Sequence, residues 1–373
     1  MKIGIDASIL SRKRITGINR YLRNILKYIP EIDKRNEYFL FAPSDIESSF
    51  GNALNVKLIK KFEIFSSKFS LPFWINLALP WMIDKYKIDL FFQPNHFIPF
   101  YTRNENVKYV TVVHDLIPRI FPQYRDFPSR LYFNLELPFS IKRSKKIVTD
   151  SKSSKEDIIN FYNISAEKIN VIHGAADERF RPRALEGEIK NNLLLKYKLP
   201  KDFILHVGAI ENRKNIIGIL RIADLLKTKH EDIKIVLIGK PGFGSAKIFK
   251  EIKKRNNVIY LGHVEDEDLS YIHNLAKIFL FPSFYEGFGL PPLEAMQSGI
   301  PVLSSNCSSL PEVVGDGGIM HNPDDYESFF QDIVKLLEKK EFYQEMKNKA
   351  ILQAKRFTWK NSAQELINIF NKI

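Results

Sequence analysis

The chain has 373 residues, 45% of them hydrophobic, with 56 Lys and Arg against 43 Asp and Glu and a formal net charge of +13. That length and apolar fraction exclude a disordered chain and suggest two domains, each with its own core. The single Cys307 excludes an internal disulfide and points to a reducing compartment, and no stretch reaches the ~18 apolar residues of a membrane span. The start, MKIGIDASIL, lacks the apolar core of a signal peptide, so the expected location is cytoplasmic. The positive excess favours anionic partners (phosphates, acidic lipid headgroups or nucleic acid), or it is a uniformly basic surface with no particular partner.

Residues 2–8 (KIGIDAS) read as a first strand. A loop with Arg12, Lys13, Arg14, Thr16 and Gly17 follows, then a helix with Ile18, Leu22, Ile25 and Ile29 at helical spacing. A basic, glycine-containing loop at a helix start suits a phosphate, or is a plain strand–helix turn. Residues 37–44 and 55–62 read as strands. Residues 65–86 are rich in Phe, Trp, Leu and Met and are flanked by Lys57, Lys60, Lys61 and Lys68. They are an exposed amphipathic element or, the preferred reading, core. Residues 110–113 read as a buried strand, with His114 and Asp115 at its carboxyl end, where open parallel sheets place ligands. His114 is a cleft residue that Asp115 orients, or a structural histidine. Residues 144–164 (SKKIVTDSKSSKEDIINFYNI) read as a strand, a polar cap region and a helix, with Ser151 or Ser153 as the cap. Residues 183–201, charged and closed by Pro200, read as a linker.

Beyond the linker, FILHVGAIENRKN starts a second α/β unit, with Arg213 and Lys214 just before a helix. Two such cations suit a diphosphate clamp; the plainer alternative is solvated surface charge. Strands follow at residues 233–239 and 258–261. Residues 278–283 are a short buried strand leading into EGFGLPPLEAMQSG, residues 286–299. Gly287 and Gly289 allow close ligand approach, Pro291 and Pro292 suit a first helical turn, and Gly299 suits its stop. The amides of Phe288, Gly289 and Leu290 would then face an anion at the positive end of a helix. Residues 358–373 read as a last amphipathic helix. No Asp-x-Asp follows a strand, and no Cys/His cluster has metal-ligand spacing, so no metal is expected.

The run FPSFYEGFGLPPLEAMQSGIPV, residues 281–302, resembles the donor-site signature of retaining glycosyltransferase family 4. The resemblance covers nearly the whole chain. It implies an α/β fold of the GT-B type, two Rossmann-like doubly wound parallel-sheet domains facing across a cleft. The first domain would be 1–182, with 358–373 crossing back, and 202–357 would be the donor domain. Glu286 would face the donor sugar and Glu294 the ribose. Phe288, Gly289 and Leu290 would hold sugar hydroxyls and diphosphate through the backbone. Arg213 and Lys214 would hold the diphosphate, although they are adjacent here and separated in many relatives. Gly17 would approach the diphosphate, Val264 would meet the base through its backbone, and His114 would contact the sugar. His173 stands where the family usually has asparagine.

The implied function is transfer of a sugar from a nucleotide-sugar, with GDP-mannose favoured by the VHDLIP segment, to a glycan or lipid-linked acceptor in surface-polysaccharide assembly. No cofactor and no nucleic-acid partner is implied. The expected place of work is the anionic inner face of the plasma membrane, as a peripheral protein touching it through Lys57, Lys60, Lys61 and Lys68. A nucleotide-sugar epimerase of the same fold, or a basic RNA- or membrane-binding protein with a degenerate donor site, are the alternatives at this point.

Overall fold

A computed structural model describes residues 1–11, 16–51, 53–60, 71–124 and 127–373. The chain forms two compact units, one of residues 1–174 with 358–373 and the other of residues 175–357. Residues 12–15, with Arg12, Lys13 and Arg14, and residues 61–70, with Lys61 and Lys68, lie outside the described residues.

The first unit is built on seven parallel strands: β1 (Lys2–Asp6), β2 (Glu37–Ala42), β3 (Val56–Lys60), β4 (Leu90–Gln93), β5 (Lys108–Val112), β6 (Lys146–Thr149) and β7 (Ile169–Val171). They lie in the order β3-β2-β1-β4-β5-β6-β7. The central strands are buried on both faces and therefore read as unbroken apolar runs rather than alternating ones. Asp6, buried at the end of β1, accepts from Trp74 Nε1 at 3.0 Å and Gln93 Nε2 at 3.1 Å. These bonds tie the strand end to the neighbouring strand and a helix. The first helix, Gly17–Ile32, starts where Thr16 Oγ1 accepts from Asn19 N at 3.3 Å. The last helix, Trp359–Asn371, packs on it and buries Trp359, Leu366 and Phe370, with Phe370 edge-on to Phe92 at 5.4 Å.

The apolar segment near residue 80 is core and surface at once. Leu71–Phe73, a π-turn over Trp74–Ala78 and Leu79–Tyr86 run on in succession. Trp74, Leu79 and Met82 face inward, while Phe73, Leu77 and Trp81 are exposed. The two basic residues described beside it are paired locally, Lys57 with Glu37 at 2.8 Å and Lys60 with Asp45.

The second unit has six parallel strands: β8 (Phe203–Val207), β9 (Lys234–Ile238), β10 (Val258–Gly262), β11 (Ile278–Phe281), β12 (Val302–Ser305) and β13 (Ile319–His321), in the order β10-β9-β8-β11-β12-β13. Residues 187–197 form a helix that buries Leu193, and its Leu194 and Tyr197 pack on the second unit's core beside Ala176, Phe180 and Leu199. The strand order reverses between β8 and β11, which opens a crevice at their carboxyl ends. The loops after these two strands carry the residues 209–215 and 282–289.

Candidate active site

The loop after β8 is set by backbone constraints. Gly239 has φ +148°, and a Cβ there would stand 1.8 Å from Gly208 O, so only glycine lets the chain after β9 pass the chain after β8. Asn212–Lys214 then makes one tight helical turn. Asn215 holds φ +54°, caps the helix Ile216–Leu226 by accepting from Gly218 N at 3.1 Å, and donates to Pro323 O at 2.7 Å. Arg213 and Lys214 are thereby aimed at the loop after β11. That loop is pinned in turn: Phe284 N donates to Arg213 O at 2.9 Å, Glu286 N donates to Ser308 Oγ at 2.8 Å, and Ser309 Oγ reaches the carbonyls of Glu286 and Phe288.

The structure brings Glu286, Arg213 and Lys214 into one buried cluster. Lys214 Nζ lies 2.7 Å from Glu286 Oε1, and Arg213 Nη1 lies 3.1 Å from Glu286 Oε2. Arg213 also pairs with Glu211 Oε1 at 2.6 Å and donates to Tyr285 O at 2.6 Å. Two carboxylates thus balance two cations in a largely buried site. Burial alone would raise the Glu286 pKa, but Lys214 and Arg213 outweigh it and bring the carboxyl down to about 2. Lys214 is pulled below the usual lysine value by burial and by Arg213, against the pull of Glu286. Beneath it His206 is held neutral: burial takes its pKa to about 4, and its Nδ1–H donates to Leu280 O at 3.0 Å.

The two adjacent cations are engaged differently. Arg213 spends its guanidinium on Glu211, Glu286 and Tyr285 O and fixes the two loops together, whereas Lys214 makes one ion pair, to Glu286, and lies over the Phe281 ring at 4.8 Å.

The helix Leu290–Gln297 starts at Gly289, whose φ is +122°, and carries Pro291 and Pro292 in its first turn. Glu294 is buried within it, and its charge adds to the field of Asp177 and Asp266 that stabilises charged Arg179. The Phe288 ring is edge-on to Phe357 at 5.9 Å. Val264 buries its side chain in the core, which leaves only its backbone for any ligand, and Leu290 is half-buried.

In the first unit, Gly17 sits exposed at the start of the first helix. His114 follows β5 and is buried. Its Nδ1 lies 2.7 Å from Asp150 Oδ2 and its Nε2 lies 2.9 Å from Pro94 O. Both partners are acceptors, so both ring nitrogens carry protons and His114 is an imidazolium. Burial would lower its pKa, but Asp150 and the Pro94 carbonyl prevail and raise it. This corrects the expected orienter: Asp115 instead accepts from Ile117 N at 2.9 Å, and Asp150 holds the ring. Asp150 carried one legible signal, its position at the carboxyl end of β6. Tyr21 stands edge-on to His114 at 5.2 Å and to Trp359 at 5.8 Å. His173 accepts from Ser362 Oγ through its carbonyl at 2.6 Å.

Among the described residues no group of three or more His, Cys, Asp or Glu is arranged to hold a metal ion.

Comparison with known proteins agrees with this architecture. Residues 194–353 match the family model Glycosyl transferases group 1, and residues 15–180 match Glycosyltransferase Family 4. The chain is 34% identical over 295 residues to O-antigen chain mannosyltransferase B of Escherichia coli, covering 78% of this chain and 76% of that one. It is 34% identical over 281 residues to the serotype-specific mannosyltransferase WbdA of Escherichia coli, covering 71% of this chain but 34% of that longer protein. Its fold is like that of Anabaena Alr3699/HepE in complex with UDP and glucose, with a TM-score of 0.72 over 100% of this chain and 99% of that one, at 17% identity.

Proposed function

We propose that this chain, which belongs to glycosyltransferase family 4 and is a sugar-transferring enzyme, moves mannose from GDP-mannose to a glycan or lipid-linked acceptor during assembly of a surface polysaccharide. Mannose is favoured because both relatives described above are mannosyltransferases. The observation that carries the reading is the buried Lys214–Glu286 pair at the switch point of the second sheet.

In this reading the site's two carboxylates and two cations balance one another before the donor arrives. An arriving diphosphate offers Lys214 more negative charge than Glu286 does, so Lys214 turns to the phosphate. Glu286 is left with Arg213 and a free oxygen for a sugar hydroxyl. Glu294 holds the ribose, and the backbone of Val264 meets the base. The amides of Phe288, Gly289 and Leu290 attend the diphosphate. The anomeric carbon–phosphate oxygen bond breaks as the acceptor oxygen bonds the anomeric carbon from the same face. The acceptor proton leaves on the departing diphosphate, and anomeric configuration is retained. Lys214 and the helix start at Gly289 stabilise the leaving charge. The His114 imidazolium contributes charge and contact, since both its N–H groups are committed to Asp150 and Pro94.

The enzyme works at the anionic inner face of the plasma membrane, with no metal requirement. Incubating the chain with GDP-mannose and an acceptor, with and without EDTA, tests this. Equal GDP release in both supports it, and release only with added Mg²⁺ or Mn²⁺ overturns the metal-free part.

A further inference from the structure

The first unit presents a row of apolar side chains that are exposed among the described residues. On the helix Phe127–Arg143, Phe127 is 67% exposed, Leu131 48% and Leu135 65%. With Phe139 and Arg143 they recur every fourth residue, forming one ridge that winds along the helix. The ridge continues into neighbouring elements. Phe139 meets Phe100 at 4.8 Å, and Phe100 N donates to Asn76 Oδ1 at 3.0 Å. Asn76 lies in the helical run whose Phe73 (56%) and Leu77 (60%) are exposed four residues apart. Large apolar side chains exposed together across three elements mark an interaction surface.

The ridge ends in charge. Arg143 donates to Pro99 O at 3.0 Å and to Phe100 O, and its guanidinium stacks 4.8 Å from the Tyr109 ring. It is also a wall of a groove of about 600 Å³ lined by Lys108, Lys142, Arg143, Lys145, Lys146 and Lys168, with Glu105 and Glu167 the acids facing them. The crowding is real: burial and Lys145 lower the pKa of Lys168. The one acid on the helix, Glu136, is buried, and burial brings its pKa up to about 7. The exposed charges of this helix are therefore all positive.

We propose that this face docks on an anionic lipid bilayer, the apolar ridge entering the headgroup–acyl boundary while the lysine groove holds headgroup phosphates. An apolar strip bordered by cations is the complement of an anionic bilayer surface. Lys57 and Lys60 were the expected contacts, but they are already paired with Glu37 and Asp45 and offer less net charge. The proposal rests on the reading of the chain as an enzyme that works at the membrane, and it names the surface.

The test uses the full chain with phosphatidylcholine vesicles, with and without 30% phosphatidylglycerol, in co-sedimentation at ~0.1 M and ~0.5 M salt. Wild type is expected to partition to the anionic vesicles and to leave them at high salt. Lys145→Ala with Lys168→Ala is expected to lower partition about 25-fold, fivefold per residue for ~1 kcal/mol each. Leu131→Glu with Leu135→Glu is expected to abolish it. Both changes lie at exposed or half-exposed positions, and an unchanged Tm shows that each variant folds. GDP release from GDP-mannose in the absence of vesicles should equal wild type in both. Failure of the docking idea is thereby separated from failure of the enzymatic reading. Undiminished vesicle binding by both variants overturns the assignment of this face. A concentration-dependent wild-type dimer, broken by the glutamates and with no vesicle binding, would show that a second copy covers the ridge.

Discussion

Lys214 and Arg213 touch the same carboxylate, yet their removal should have different results. Arg213→Ala leaves Glu286 and Glu211 buried without a shared cation, and a broken buried pair costs about 3–5 kcal/mol. A lowered Tm with weak activity is expected, and Arg213→Lys should not restore it, because an ammonium cannot reach all three acceptors. Lys214→Ala should keep GDP release low in a chain that stays folded through Arg213. Wild-type turnover in Lys214→Ala would remove that residue from the reaction. The two glutamates should differ in kind. Glu294→Ala is expected to weaken free GDP by about 1–3 kcal/mol in calorimetry, and Glu286→Gln to spare GDP affinity while depressing turnover. The reverse pattern would exchange their roles. His114 adds a pH signature. Its pKa is raised in the folded chain, so its contribution to stability is complete below the unfolded value of about 6.5 and is lost as pH rises through the folded value. Wild-type stability should fall across that window, and Asp150→Asn should flatten the fall; identical pH slopes would contradict the Asp150–His114 pairing. At this scale the sequence displayed what is local. Glu286, Glu294 and the glycines sit in one short run. Asp150 and Glu286 find their partners 36 and 72 residues away, and no local pattern announces such pairs.

Buried strands and their following loops were readable because both sheets are parallel and covered on both faces, which makes each strand a short apolar run closed by turn residues. The helix Leu290–Gln297 was readable from its prolines and from Gly299. The helix Phe127–Arg143 was not, for a physical reason. Its apolar side chains lie on inner and outer faces alike, and Pro138 interrupts its pattern, so no single stripe reports it. The helix start at Gly289 supplies an element-scale prediction. A Cβ at φ +122° would also stand 3.1 Å from Leu310 Cδ2. Gly289→Ala should therefore cost about 1 kcal/mol or more and shift the amides of Phe288, Gly289 and Leu290, which we propose meet the diphosphate. A lower Tm together with weaker GDP binding is expected; unchanged values of both would show that the loop tolerates a side chain there.

Across the whole molecule the last helix belongs to the first unit, so a change near the end of the chain should act on that unit and not on the loops after β8 and β11. Phe370 is fully buried against Phe92, and Phe370→Ala should remove about 3–5 kcal/mol from the first unit. GDP affinity should stay as in wild type. Among the described residues the positive excess seen in the composition gathers in the lysine groove of the first unit, while charges such as Lys57 and Arg255 are paired locally with Glu37 and Asp224. Composition could give the sign of that charge but not its place. We propose sugar transfer in which Lys214 and Glu286 govern the departure of a diphosphate leaving group. Its most direct test is the fate of GDP-mannose incubated with the purified chain and a lipid-linked glycan, followed by mass spectrometry and by NMR of the anomeric proton. Free GDP is expected in step with a product heavier by one mannose, its linkage keeping the donor's anomeric configuration, and neither in Lys214→Ala. Recovery of an intact GDP-sugar with an altered sugar, and no lengthened acceptor, would contradict it.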